Sequence, residues 1–160
     1  MSERPRDAAI TVVPYEPSHR DAFRRLNEAW ISRYFRLEAP DRRVLDAPRE
    51  EILDKGGHIL VALRGGDPIG VCALLRVDDA TFELAKMAVD ERARGAGAGF
   101  LLGEAAKARA RAAGATRLIL ESNTVLTPAI SLYRKLGFTE FTGVPSEYDR
   151  CNIHMEVRLS

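Results

Sequence analysis

Short β-forming runs, stretches with helical periodicity and glycine-marked turns succeed one another along this chain. The run from Ala8 to Tyr15 carries Ile10, Val12 and Val13 and predicts a first strand. Ser18, with Asp21 three residues on, has the form of a capping box and opens a helix to about Phe35. Phe23, Leu26, Trp30 and Tyr34 recur along it at helical spacing, so one face is apolar. A second, broken helical region is expected from Asp41 to Lys55, interrupted near Pro48 and stopped by Gly56-Gly57.

The pattern then changes to strands. His58 to Leu63 and Pro68 to Val77 are two of them, joined by Arg64-Gly65-Gly66-Asp67, a hairpin signal. Asp78-Asp79-Ala80 turns the chain into a third, Thr81 to Val89. Arg94 to Gly99 is rich in glycine and alanine, and a helix-like run follows from Phe100 to Ala113. Thr116 to Glu121 has an unbroken apolar centre, Leu118-Ile119-Leu120, as expected of a strand covered on both faces. Thr127-Pro128 makes an N-cap and first-turn pair for a helix that Gly137 ends. Phe138 to Phe141 and Asn152 to Leu159 close the chain as strands. The order is mixed α/β without regular βαβ alternation, repeats or linkers. It predicts one domain over 8–160 behind a short polar extension, 1–7.

Composition narrows the function classes. The chain has 160 residues, 46% apolar and 29% charged, ordinary proportions for a globular protein with a real core. The net charge of +1 argues against bulk attraction to nucleic acid or membrane. Two cysteines, Cys72 and Cys151, are too few and too isolated for a disulfide framework or a zinc site. His19, His58 and His154 lack ligand spacing, so no metal is expected. No apolar run reaches membrane-span length, and the charged start lacks the apolar core of a signal peptide. A cytoplasmic setting is the expectation.

The chemistry concentrates at Arg94-Gly95-Ala96-Gly97-Ala98-Gly99, between a predicted strand and a predicted helix. A bare backbone lets N–H groups approach a ligand, and a helix N-terminus attracts phosphate. The segment therefore reads as a seat for a phosphorylated cofactor. A P-loop would need Lys and Ser or Thr after the last glycine, where Phe100 and Leu101 stand. A dinucleotide fingerprint counted from Gly95 fails at its sixth position, Phe100. Arg94-x-x-Gly97-x-Gly99 instead resembles the Arg/Gln-x-x-Gly-x-Gly/Ala pattern of the GNAT superfamily of acyl-CoA-dependent N-acyltransferases. Glu83 to Val89 before it resembles the central strand of that family. Asn123 and the segment Thr127 to Phe138, with Tyr133 and Gly137-Phe138, resemble its closing signature. The resemblance runs over roughly Ile10 to Leu159.

It implies an α/β fold of the α+β type: a twisted, mixed, mostly antiparallel central sheet with helices on both faces. Two parallel strands, ending at Val89 and near Glu121, would splay apart to admit the cofactor. It also implies an N-acetyltransferase that moves an acetyl group from acetyl-CoA to a primary amine by direct attack in a ternary complex. The backbone of Met87, Ala88 and Val89 would supply the oxyanion donors and pair with the pantetheine arm. Arg94, Gly95, Ala96, Gly97, Ala98 and Gly99 would hold the pyrophosphate. Asn123 would bond the pantetheine or orient the tyrosine, its alternative being a turn residue.

Roles for the reacting groups follow from the same resemblance. Glu83 stands where several members place their general base, acting directly or through water; the plain alternative is a solvated or ion-paired strand residue. Tyr133 matches the usual acid, against the alternative of a core tyrosine. On the acceptor side, Tyr34, Glu38 and Tyr148 are candidate contacts in the regions that build the family's acceptor pocket. The acceptor is a small-molecule or peptide amine, a small amine or amino acid being favoured over protein, and homodimers are common in the family. A non-catalytic acyl-CoA-binding or sensing module is the competing reading.

Overall fold

The structure, a computed structural model, describes residues 9–143 and 145–159. The polar stretch 1–7 lies outside them. Seven strands form one sheet: β1 (Ile10–Pro14), β2 (His58–Arg64), β3 (Asp67–Arg76), β4 (Thr81–Val89), β5 (Arg117–Ser122), β6 (Thr139–Phe141) and β7 (Ile153–Arg158). Their order is β1-β2-β3-β4-β5-β7-β6, and only β4 and β5 run parallel. The helices are α1 (Arg20–Tyr34), α2 (Ala39–Asp46), α3 (Ala98–Ala112) and α4 (Thr127–Lys135).

Each sheet face carries its own core, because strand side chains alternate between faces. On one face Leu102, Ala106 and Ala110 of α3 pack on Leu60, Ala62, Cys72 and Leu74, and Leu136 and Phe138 after α4 extend that core. On the other, Phe23 and Leu26 of α1 with Val44 and Leu45 of α2 cover Val61, Val71, Ala73 and Ala88. This is the expected architecture, including helices on both faces. β5 matches less fully: Leu118 and Leu120 are buried, but Ile119 between them is only partly covered.

Local capping differs from the pattern-based expectation. Ser18 and Asp21 do not form the capping box. Glu16 and His19 do, with the Glu16 N–H donating to His19 Nδ1 at 3.0 Å around a short turn, Pro17–His19. The helix proper starts at Arg20 because Pro17 first tightens the chain into that turn. Leu126, not Thr127, is the N-cap of α4, which moves Pro128 to the second helical position. The region after α1 divides as predicted near Pro48, into α2 and a single wide turn, Arg49–Leu53. A second capping box opens α2, where the Glu38 N–H donates to Asp41 Oδ2 at 2.9 Å.

Candidate active site

The parallel ladder between β4 and β5 is short. It runs from Thr81 opposite Arg117 to Leu84 opposite Leu120 and stops. Beyond it β5 stays with β7 as far as Ser122 opposite Ile153, while β4 stays with β3 as far as Val89 opposite Gly70. The two strands therefore part, and β4 from Ala85 to Val89 lacks its β5 neighbour. Within that stretch β4 bulges: Val71 and Ala73 oppose Ala88 and Ala85, so β4 carries one residue more than β3. Lys86 sits in the bulge with φ of 52°, a conformation unusual for a side chain other than glycine. The bulge resets the alternation, so Leu84 joins the α3 core and Ala88 the α1 core.

Two cavities meet at the split, and Trp30, Met87 and Tyr133 line both. The first is a groove bounded by Met87 and Val89 of β4, the Arg94–Gly99 loop, and Pro128, Ala129 and Leu132 of α4. Gly97 is the N-cap of α3 with φ of 85°, a left-handed conformation that glycine takes at little cost. It turns the chain so that the first helical turn begins at Ala98. The N–H groups of Ala98, Gly99 and Phe100 have no intrahelical acceptor and, with no acidic residue in that turn, make an anion seat. The Arg94 guanidinium donates to the Tyr34 hydroxyl. Tyr34, expected on the acceptor side, thus stands against the loop instead. Of the nearby basic residues, Lys107 donates to the Leu136 carbonyl and Arg111 to that of Leu159, so both clamp α3 in place.

The second cavity lies between β4, β5, α1 and the segment before β7. Glu83, Glu121, Asn123, Tyr148, Arg150 and Cys151 line it with Trp30 and Phe35. Burial pushes the Glu83 carboxyl up to about 7, assisted by the charges of Glu121 and Glu147 and opposed by Lys86. A carboxyl so placed can take up and release a proton near neutrality. Tyr133 projects from α4 with its ring edge-on to Phe138, centroids 6.0 Å apart. Burial pushes its hydroxyl up to about 12, which keeps it a proton donor. The Asn123 amide is tied to the protein: it donates to the Arg150 carbonyl at 2.7 Å and accepts from the Val125 N–H at 2.9 Å.

One wall of this cavity is an ionic network of which the sequence marked only Glu38 and Tyr148. Asp41, fully buried, accepts from Lys86 Nζ at 2.7 Å and from both terminal nitrogens of Arg150 at 2.6 and 2.7 Å. Burial alone would raise the Asp41 carboxyl, but hydrogen bonds from Arg150, Lys86 and the Glu38 amide outweigh it and hold it at about 2. Lys86 also donates to the Tyr148 hydroxyl at 3.0 Å, and both cations lie over the Tyr148 ring, 4.5 Å from its centroid. Glu38 accepts from Arg150 and from the Asp149 N–H, so it braces the wall and does not line the cavity. Of the three acceptor-side candidates, only Tyr148 faces the space.

A glycine-started helix, a splayed parallel pair and two cavities meeting at a tyrosine together have counterparts among known proteins. The model of the Acetyltransferase (GNAT) family matches residues 20–138. The chain belongs to the GNAT acetyltransferase family. This acetyltransferase is 39% identical over 85 residues to an "IAA acetyltransferase" of Azospirillum brasilense; the match spans about half of each, 52% of this chain and 55% of the relative. Its fold is that of a GNAT-family acetyltransferase from Staphylococcus aureus (TM-score 0.85, 20% identity, 95% of this chain and 100% of the other). It is also that of yncA, a putative acetyltransferase from Salmonella typhimurium solved with acetyl-CoA (TM-score 0.77, 22% identity, 95% of each chain).

Membership makes the acetyltransferase an enzyme of the acyltransferase class. Among the described residues no helix is long and apolar enough to cross a membrane. Lys86, Asp41, Arg150 and Glu121 escaped the sequence reading, because their partners lie far along the chain: Lys86 meets Asp41 across 45 positions, and Arg150 meets it across 109.

Proposed function

We propose that this acetyltransferase transfers the acetyl group of acetyl-CoA to a primary amine by direct attack in a ternary complex, with a small amine or amino acid as acceptor. The observation that carries the reading is the junction of the two cavities at Tyr133 and Met87. A thioester lying there would face the anion seat on one side and an ionisable carboxyl on the other. The small volume of the second cavity, about 100 Å³ between Trp30, Phe35, Tyr148 and Arg150, supports a small acceptor over a folded protein surface.

In this reading the first-turn N–H groups of α3 and the Arg94 side chain hold the pyrophosphate. The free edge of β4 at Met87 to Val89 pairs with the pantetheine arm, and an N–H there stabilises the oxyanion as the amine adds to the carbonyl carbon. Glu83 takes the proton that the amine nitrogen loses, directly or through one water. As the C–S bond breaks, the Tyr133 hydroxyl donates its proton to the departing thiolate, and solvent exchange returns the Glu83 proton to Tyr133. The products are the N-acetyl amine and CoA. Asn123 holds the loop after β5 against residue 150, which fixes the cavity's shape.

An acceptor panel monitored by free CoA release tests this. Small amines or amino acids are expected to stimulate release. Release stimulated only by peptides would overturn the acceptor class. Tight acetyl-CoA binding with no amine-dependent release would turn the reading to a binding module.

A further inference from the structure

We infer that Glu121, Cys151 and His154 form a site for one thiophilic divalent cation, zinc in the first instance, opening on the acceptor cavity. The β5–β7 register sets Glu121 directly opposite His154, and opposed residues on one face are side-chain neighbours. Cys151 lies just before β7 and returns to the same spot. Its Sγ is 3.9 Å from His154 Nε2, and His154 Nδ1 is 3.8 Å from Glu121 Oε2. One ligand atom from each residue lies within 4.8 Å of the others. Tetrahedral zinc, with bonds of roughly 2.0–2.3 Å, sets its ligand atoms about 3.3–3.8 Å apart; one imidazole nitrogen binds the ion, so closing the site from the 4.8 Å limit takes side-chain shifts of up to about 1 Å.

The surroundings fit that occupant. The Ser146 hydroxyl donates to Glu121 Oε1 at 2.7 Å, steadying the carboxylate while leaving Oε2 turned toward His154. The imidazole is pinned: a Cβ at Gly143 would stand 2.5 Å from the ring, and Phe141 meets it edge-on. A carboxylate beside the thiol repels a thiolate nucleophile and attracts a cation, which separates this cluster from a Cys-His acyl carrier. Glu121 and Cys151 line the acceptor cavity and His154 does not, so an ion held by the three would lie at that cavity's wall. Binding forms metal bonds to sulfur, nitrogen and oxygen, and the thiol proton leaves to solvent.

The test titrates the reduced, metal-free protein with cobalt(II). One equivalent is expected to produce a thiolate-to-cobalt charge-transfer band that zinc bleaches. Cys151→Ala should abolish the band, and His154→Gln should weaken cobalt affinity at least roughly tenfold. No band, or one unaffected by His154→Gln, overturns the site. Should His154→Gln not fold, zinc calorimetry on Cys151→Ala decides: undiminished binding overturns the site equally. In steady-state kinetics zinc should raise the KM of the acceptor and leave that of acetyl-CoA unchanged. Zinc binding without that change overturns the opening onto the acceptor cavity. The band is read without turnover, so its outcome is independent of the proposed transfer reaction.

Discussion

A carboxyl is most useful as a base when its proton affinity matches the working pH, and burial brings Glu83 to about 7. Its carboxylate fraction therefore reaches half at about pH 7 and is nearly complete roughly a unit above it. With a weakly basic amine as acceptor, kcat/KM should climb through about pH 7, its half-point, and level roughly a unit above it. Glu83→Gln should lower it roughly 100-fold and remove the climb; a retained profile would sink the assignment. Stability gives an independent readout. The folded-state pKa lies above the ordinary 4.5, so the native state loses stability between about pH 4.5 and 7 as pH rises. Glu83→Gln should thus gain ~1–3 kcal/mol above pH 7 and nothing below 4.5, measured by denaturant unfolding. Tyr133→Phe should lower kcat roughly 100-fold with acetyl-CoA affinity unchanged. The sequence singles out both residues through local patterns, a strand before the loop and a helix before Gly137-Phe138, and both line the cavity between β4 and β5. It does not single out Lys86. Nothing among its neighbours marks it as the bulge residue, and its buried partner Asp41 comes from another element.

Elements were legible where periodicity and punctuation agree, as in the Gly65-Gly66 hairpin, β4 and α3. Their ends were less so, because capping depends on which side chain reaches an amide: Glu16 and His19 achieve it where Ser18 and Asp21 were expected. Helix packing against α4 was hidden for the same reason, since contact distances are a three-dimensional matter. Gly103 lies mid-helix in α3, where glycine is a poor helix former, and its packing explains it. A Cβ there would come within 2.3 Å of Leu136 Cδ1, and Leu136 is itself 1% exposed, with little room to yield. The helix propensity gained by Gly103→Ala, about 1 kcal/mol, is therefore set against overpacking of ~1–3 kcal/mol. Net loss of stability in thermal melts is the expected result, and it should be smaller when Leu136 is shortened to Val in the same chain.

Across the whole molecule, the split sheet leaves its two halves joined by the short Thr81–Leu84 ladder and by contacts over the cleft. Asp41 is the centre of those contacts, drawing Lys86 of β4 and Arg150, ahead of β7, to α2. Three segments distant in sequence thus depend on one carboxylate. Removing it would leave Lys86 without its carboxylate and Arg150 with Glu38 alone, and breaking a buried pair by deleting one partner costs about 3–5 kcal/mol. Asp41→Ala should lose about 2–5 kcal/mol in denaturant unfolding and should also disturb acceptor KM, because both cations lie over the Tyr148 ring. The pH dependence carries the sign of a depressed carboxyl. Its contribution is fully present above the ordinary pKa of 3.8 and is lost as pH falls through about 2. Wild-type protein should therefore lose stability steeply from about pH 4 down to 2, and Asp41→Ala should show a shallower slope there. Equal slopes in the two proteins would mean that the network draws the cleft together without Asp41 as its charged centre.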